Sequence, residues 1–293
     1  MDRRSVEAVV GRTEKLDSRL VETTGGRTKV RVYEGGSGSP LLFLPGISGL
    51  FPEDPFLAAL AARHRVAAPL LPGYEDSEGA ENLRTMQDVV LWAFDLLDAI
   101  GMERPLVLGH SMGGMIAAEM AALCPREVEK LVLVAPAGLW LDAHPIPDLF
   151  ALMPFELPSL LFHDAALGAR LLTSGLVPEE MRDASGKSAS DLAALAQRFE
   201  DTRFLQAFLI QNARRLGMAG KLLFPIPDRG LSERLYRVRA RTTLVWGASD
   251  RLIDFAYASA WQRLLPGARL IRVPDAGHML PYEKPDALLE AIG

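Results

Sequence analysis

Apolar residues along this chain follow two rhythms. Short, wholly apolar runs such as Leu41-Leu42-Phe43-Leu44, Leu106-Val107-Leu108 and Leu131-Val132-Leu133-Val134 predict strands buried on both faces of a parallel sheet. Between them, apolar residues recur at every third or fourth position. Val89, Trp92, Ala93 and Leu96, extended by Leu97 and Ile100, predict a helix within 82–100, and Gly101 stands where its C-terminal cap is expected. The same reading predicts helices over 56–63, 112–123, from after Trp246 to about Leu265, and 285–292. It predicts further strands at 65–69, 242–246 and 269–273. Near the start, β-like runs at 18–23 and 28–33 flank Thr24-Gly25-Gly26 and predict a hairpin. Residues 1 to about 16 are mixed and polar and could hold a short helix.

Strands alternating with helices imply βαβ units. The alternation breaks near Ala135. From 137 to 230 no run has the character of a strand, prolines recur (Pro145, Pro147, Pro154, Pro158), and stretches such as Asp191 to Arg215 have helical spacing. The βα rhythm resumes at Thr242. The chain therefore divides into 1–136, a helical insertion over 137–230, and 231–293.

Length and composition narrow the function class. A chain of 293 residues suits one large α/β domain carrying an insertion. The net charge of −5, with Lys and Arg scattered, argues against a nucleic-acid partner. Two arginines near the N-terminus are followed by no apolar segment, and no apolar run approaches the ~20 residues that span a bilayer. The single cysteine, Cys124, excludes an internal disulfide and fits a reducing compartment. The expectation is a cytoplasmic protein without membrane partner. No metal-ligand cluster is visible, and no cofactor is expected.

Candidate chemistry centres on Gly109-His110-Ser111-Met112-Gly113-Gly114, a G-x-S-x-G between an apolar strand and a helix. A serine on such a sharp turn is held in strained backbone angles at a helix N-terminus, where N–H groups favour developing negative charge. A serine hydroxyl needs a base. Of five histidines (His64, His110, His144, His163, His278), His278 follows the last strand in a glycine-bearing loop, at the sheet edge where α/β sites assemble. His110 adjoins Ser111, but neighbouring side chains diverge on such a turn, so it reads as packing. His144 and His163 fall in the insertion and could line a pocket. The base needs a carboxylate. Asp250, just past the strand ending at Trp246, fits the order Ser, Asp, His; Asp254 and Asp142 compete with it. Backbone donors for an oxyanion are expected at Met112 and, in the loop Pro45-Gly46-Ile47-Ser48-Gly49, at Ile47.

Together these segments, with Pro72-Gly73-Tyr74-Glu75-Asp76-Ser77 and Trp246-Gly247-Ala248-Ser249-Asp250, resemble the α/β-hydrolase superfamily, in particular its capped serine esterase, haloperoxidase-like and carbon–carbon hydrolase branch. The resemblance implies an eight-stranded, mostly parallel sheet flanked by helices, with 137–230 as a cap over the site. It implies Ser111 as nucleophile, Asp250 as acid and His278 as base. The chain departs from the family pattern in three places: Pro45-Gly46 where His-Gly is common, Glu75 where glycine is often found, and Met279 where the carbon–carbon hydrolases usually carry tryptophan. Ser111 excludes the branches that use an aspartate nucleophile.

The function expected is hydrolysis of a carboxylic ester, or a related acyl compound, of a small and largely apolar substrate. The insertion is rich in Leu149, Phe150, Leu152, Met153, Phe155, Leu160, Leu161 and Phe162, which either line an apolar pocket or pack cap helices together. Carbon–carbon cleavage of a diketone, or perhydrolysis, is the competing chemistry on the same triad. A non-catalytic ligand receptor is the competing reading from another class.

Overall fold

The computed structural model describes residues 16–50, 54–153, 155–175 and 201–293. The short helix anticipated before residue 16 and the 191–200 part of the helix anticipated from Asp191 lie outside the described residues. Eight strands form one sheet: β1 (Asp17–Thr23), β2 (Thr28–Gly35), β3 (Pro40–Leu44), β4 (Arg65–Pro69), β5 (Leu106–His110), β6 (Lys130–Val134), β7 (Arg241–Gly247) and β8 (Arg269–Val273). Their order is β1-β2-β4-β3-β5-β6-β7-β8. The β1–β2 and β2–β4 pairs are antiparallel, and every pair from β4 to β8 is parallel. This is the eight-stranded, mostly parallel sheet expected.

The helices among the described residues are α1 (Pro55–Ala61), α2 (Met86–Ala99), α3 (Met112–Leu123), α4 (Leu157–Leu161), α5 (Ala165–Gly175), α6 (Thr202–Leu223), α7 (Leu231–Arg234), α8 (Ala256–Leu264), α9 (Leu280–Glu283) and α10 (Pro285–Ile292). Strand side chains alternate in direction, so the apolar runs feed two cores. Leu42, Leu44, Val107, Leu131, Leu133, Leu244 and Trp246 join Trp92, Ala93 and Leu96 of α2 and Met115, Ile116 and Met120 of α3. Leu41, Phe43, Leu108, Val132, Val134 and Val245 join Phe56, Leu57 and Leu60 of α1 and Leu288, Leu289 and Ile292 of α10. Both faces being covered explains why these strands are continuously apolar rather than alternating.

Local signals set the helix ends. Asp54 caps α1, its carboxylate accepting from Phe56 N and Leu57 N. Thr85 and Asp88 form a reciprocal capping box at the start of α2, which places that start at Met86, four residues inside the expected span. Gly101 follows the same helix with φ 61°, a left-handed geometry natural to glycine. The α6 helix runs eight residues beyond Arg215, since nothing before Phe224-Pro225 interrupts it.

This topology positions the site. Strands β3 to β8, all mutually parallel apart from the antiparallel strand outside them, end at one edge. The segments after β3, β5, β7 and β8 therefore meet there, where open α/β sheets hold ligands.

Candidate active site

Ser111 follows β5 and caps α3 with φ 53° and ψ −117°. A non-glycine residue at positive φ stores strain, here over-determined by main-chain bonds. Ser111 N donates to Val134 O at 2.9 Å, and Ser111 O accepts from Met115 N at 3.1 Å and Ala137 N at 3.0 Å. The turn can be this tight because Gly113 has no side chain; a Cβ there would lie 2.0 Å from Leu44 O. Met112 is the first residue of α3, and the first N–H groups of a helix have no intrahelical acceptor.

Asp250 and His278 are buried and joined, Asp250 Oδ2 lying 2.8 Å from His278 Nδ1. The other carboxylate oxygen, Oδ1, accepts from Leu252 N at 3.0 Å and Ile253 N at 2.9 Å. A carboxylate held by two amides accepts only, so the His278 Nδ1 carries the proton and Nε2 is left as a base. The two loops approach because Gly247 leaves room; a Cβ there would meet Gly277 O at 2.2 Å. Ala248 N and Ser249 N then donate to Val273 O and Ala276 O, at 2.8 and 2.9 Å. The two competing carboxylates are elsewhere. Asp254 is exposed and binds Ala256 N at 2.7 Å, and Asp142 is exposed and accepts from Trp140 Nε1 at 2.9 Å.

A narrow cavity brings the pieces together: Gly46, Ile47, Ser111, Leu161, Leu252 and His278 are among its walls. A Cβ on Gly46 would stand 3.3 Å from Ser111 Cβ, so the loop after β3 rests directly on the elbow. Tyr74 donates its hydroxyl to Ile47 O at 3.1 Å, and Arg215 of α6 reaches Ser48 O at 3.3 Å. Burial pushes the Tyr74 hydroxyl well above its ordinary pKa, so it remains a donor, and burial likewise lowers the Arg215 guanidinium. At the departure from the family pattern, Glu75 takes φ 45°, the left-handed geometry a glycine would adopt freely, and Arg214 donates to its carbonyl at 3.1 Å.

His110 is more than the packing residue that its place beside Ser111 suggested. Its Nε2–H donates to the His278 carbonyl at 2.8 Å, and the two rings lie 5.0 Å apart. Burial, with the neighbouring His278, drives its pKa down to about 3, so the ring is neutral. No local signal could reveal this bond, because the partner is a main-chain oxygen from a distant loop. Of the insertion histidines, His163 Nδ1 lies 3.0 Å from Ser249 Oγ, while the exposed His144 stands 3.7 Å from Asp254. His64 is buried at the start of β4, away from the cavity. Of the apolar insertion residues, Leu161 lines the cavity and Phe162 is in the core, whereas Phe155 is 78 % exposed. Among the described residues, no group of three His, Cys, Asp or Glu side chains could hold a metal, and no helix is long and apolar enough to cross a membrane.

Comparison with known proteins agrees with the topology. The chain is 30% identical over 268 residues to the dihydrolipoyllysine-residue acetyltransferase component of the acetoin cleaving system of Cupriavidus necator, covering 86% of this chain and 62% of the relative. It thus spans less than two thirds of that relative's length. It is 25% identical over 285 residues to the 2-hydroxy-6-oxononadienedioate/2-hydroxy-6-oxononatrienedioate hydrolase of Comamonas testosteroni, with 88% of each chain covered. The crystal structure of carboxylesterase CesB from Bacillus subtilis superposes with a TM-score of 0.64 at 19% identity, covering 99% of this chain and 94% of that one, a likeness of fold. Residues 39–285 match the family described as the α/β hydrolase fold. That span holds every strand from β3 to β8 and all four loops of the candidate site, and the chain belongs to the α/β-hydrolase fold family.

Proposed function

We propose that this hydrolase cleaves a carboxylic ester, or a related acyl compound, of a small and largely apolar substrate through an acyl-enzyme. The observation that carries the reading is the buried 2.8 Å contact between Asp250 and His278 beside an elbow serine on the same cavity. In this reading His278 Nε2 takes the proton of Ser111 Oγ as that oxygen attacks the substrate carbonyl. The N–H groups of Ile47 and Met112 stabilise the oxyanion. The tetrahedral intermediate expels the alcohol, which receives the proton from His278. Water, deprotonated by His278, then attacks the acyl-enzyme, and the acid is released as His278 returns that proton to the departing Ser111 Oγ. Asp250 stabilises the imidazolium and holds its tautomer throughout. No cofactor takes part.

We read residues 137–230 as a cap between the two core segments 1–136 and 231–293. Support comes from Leu161, which reaches the cavity, and from Arg215, which binds the loop after β3. Leu161, Leu252 and Met279 give the cavity an apolar wall suited to an acyl or ring group.

Carbon–carbon cleavage of a diketone is the second reading. The similarity to the Comamonas testosteroni hydrolase over 88% of each chain favours it; Met279, where such enzymes usually carry tryptophan, speaks against it. The test is turnover of p-nitrophenyl esters, acetate through decanoate, by the wild type and Ser111→Ala, with product analysis on a vinylogous diketone in parallel. Ester turnover lost in the variant supports the proposal. Diketone turnover without ester turnover replaces it with the second reading. Tight ligand binding without turnover of either would indicate a receptor.

A further inference from the structure

The main chain around His278 is held on three sides. Gly277 N donates to Glu283 Oε2 at 2.7 Å, the His278 carbonyl accepts from His110, and Met279 N donates to Leu161 O at 3.1 Å. Two of these holds lead to one short segment of the insertion. Leu161 belongs to it, and Glu283 binds it through the other carboxylate oxygen: Oε1 accepts from His163 N at 2.7 Å and Asp164 N at 3.3 Å. The approach is close enough that a Cβ on Gly277 would fall 2.8 Å from both His163 N and Leu161 O. The loop bearing Asp250 is tied to the same place by His163 Nδ1 on Ser249 Oγ.

We propose that Glu283 is a positioning residue for His278: its carboxylate bridges the loop that carries the base to segment 161–164, so that docking of this segment sets where the imidazole stands. The inference rests on reading His278 as the base. Its physical content is span. Three amides from two separate stretches of chain converge on one side chain, and only an acceptor at both ends of a carboxylate satisfies them. Glutamine keeps the shape but turns one oxygen into an NH₂ facing an amide donor. Aspartate keeps the charge but is one methylene too short to bridge. Either change breaks this bridge, leaving Met279 N on Leu161 O as the remaining direct tie between the base loop and segment 161–164, and substitutes none of Ser111, Asp250 and His278.

The test uses a fluorophosphonate, which needs no knowledge of the natural substrate. Ser111 Oγ bonds to phosphorus, fluoride leaves, and the serine proton passes to the base. The labelling rate is measured for wild type, Glu283→Gln, Glu283→Asp and Ser111→Ala, each corrected for the folded fraction from thermal unfolding. The hydrogen-bonded Nδ1–H of His278 is followed as a far-downfield proton resonance. Both Glu283 variants are expected to label about 10- to 100-fold more slowly per folded molecule, with the downfield resonance shifted or broadened. Wild-type rates per folded molecule with an unmoved resonance would overturn the proposal, leaving Glu283 a purely structural residue. A wild-type rate in Glu283→Asp alone would also overturn it, since charge rather than span would then suffice. Labelling of Ser111→Ala at the wild-type rate would instead remove the nucleophile reading, whatever the Glu283 variants do.

Discussion

The ring of His110 is bonded to the main chain of His278, Nε2 to carbonyl oxygen at 2.8 Å, across 168 residues of sequence. Because His110 is neutral down to about pH 3 when folded and titrates near 6.5 when unfolded, it makes stability depend on pH. Above 6.5 both states are neutral and the bond's contribution is fully present. As pH falls below 6.5 the unfolded state takes up a proton that the folded state refuses, and stability drops by about 1.4 kcal/mol per unit. His110→Gln keeps an N–H donor but cannot titrate. Between pH 7.5 and 5, urea unfolding of the wild type should lose roughly 2 kcal/mol more than the variant. Parallel losses would mean that His110 titrates normally.

Asp250 serves two ends, fixing the turn through Oδ1 and the imidazole through Oδ2. Asp250→Asn separates them. The amide oxygen can still accept from Leu252 and Ile253, so thermal stability should change by less than about 1 kcal/mol. The NH₂ group facing His278 can only donate, which imposes the tautomer whose Nε2 carries the proton and cannot accept the serine's. Ester turnover should fall about 10³- to 10⁴-fold. A variant with near-wild-type kcat would show that the 2.8 Å contact does not orient the base.

What could be read in advance and what could not divide along a physical line. Strands β3, β5, β6 and β7 were legible because burial on both faces leaves an apolar run, whereas the edge strand β8 carries exposed Arg269 and Arg272. The turn at Ser111 and the meeting of Asp250 with His278 were legible because each residue stands just past a strand end. The bonds of His110 to a carbonyl and of Glu283 to three amides left no trace, since main-chain partners carry no residue identity. The apolar character of the insertion was legible too, but not its direction: Leu161 faces the cavity while Met153 and Phe155 face outward. Periodicity says that a side is apolar, not what it will meet.

The strain at Ser111 is itself measurable. With φ 53° and ψ −117°, this position favours glycine, and forcing a Cβ there costs of order 1–3 kcal/mol. Ser111→Ala keeps the Cβ, while Ser111→Gly removes it at an entropic cost of roughly 0.5–1 kcal/mol. Both variants should be inactive, but the glycine variant should be the more stable and unfold at the higher temperature, the net of the two terms being of order 1 kcal/mol. An alanine variant as stable as the glycine one would mean that the elbow stores no strain at this residue.

The role proposed for Ile47 rests on a main-chain N–H, which no substitution but proline deletes, and proline would also fix the backbone; its support can be removed instead. Tyr74 is buried, remains protonated, and donates to the carbonyl of Ile47 itself. Tyr74→Phe removes that one hydroxyl and preserves the ring against Gly49, whose Cβ position lies 3.2 Å from it. Losing the bond costs about 0.5–1.5 kcal/mol, and the Ile47 peptide can then tilt. If its N–H faces the developing oxyanion, the loss is felt in the transition state and not in the bound ester. Thus kcat should fall about 2- to 10-fold with KM unchanged. A rise in KM alone would place Ile47 against the ground-state substrate. Unchanged kcat and KM would remove it from the oxyanion site and leave Met112 without its proposed partner.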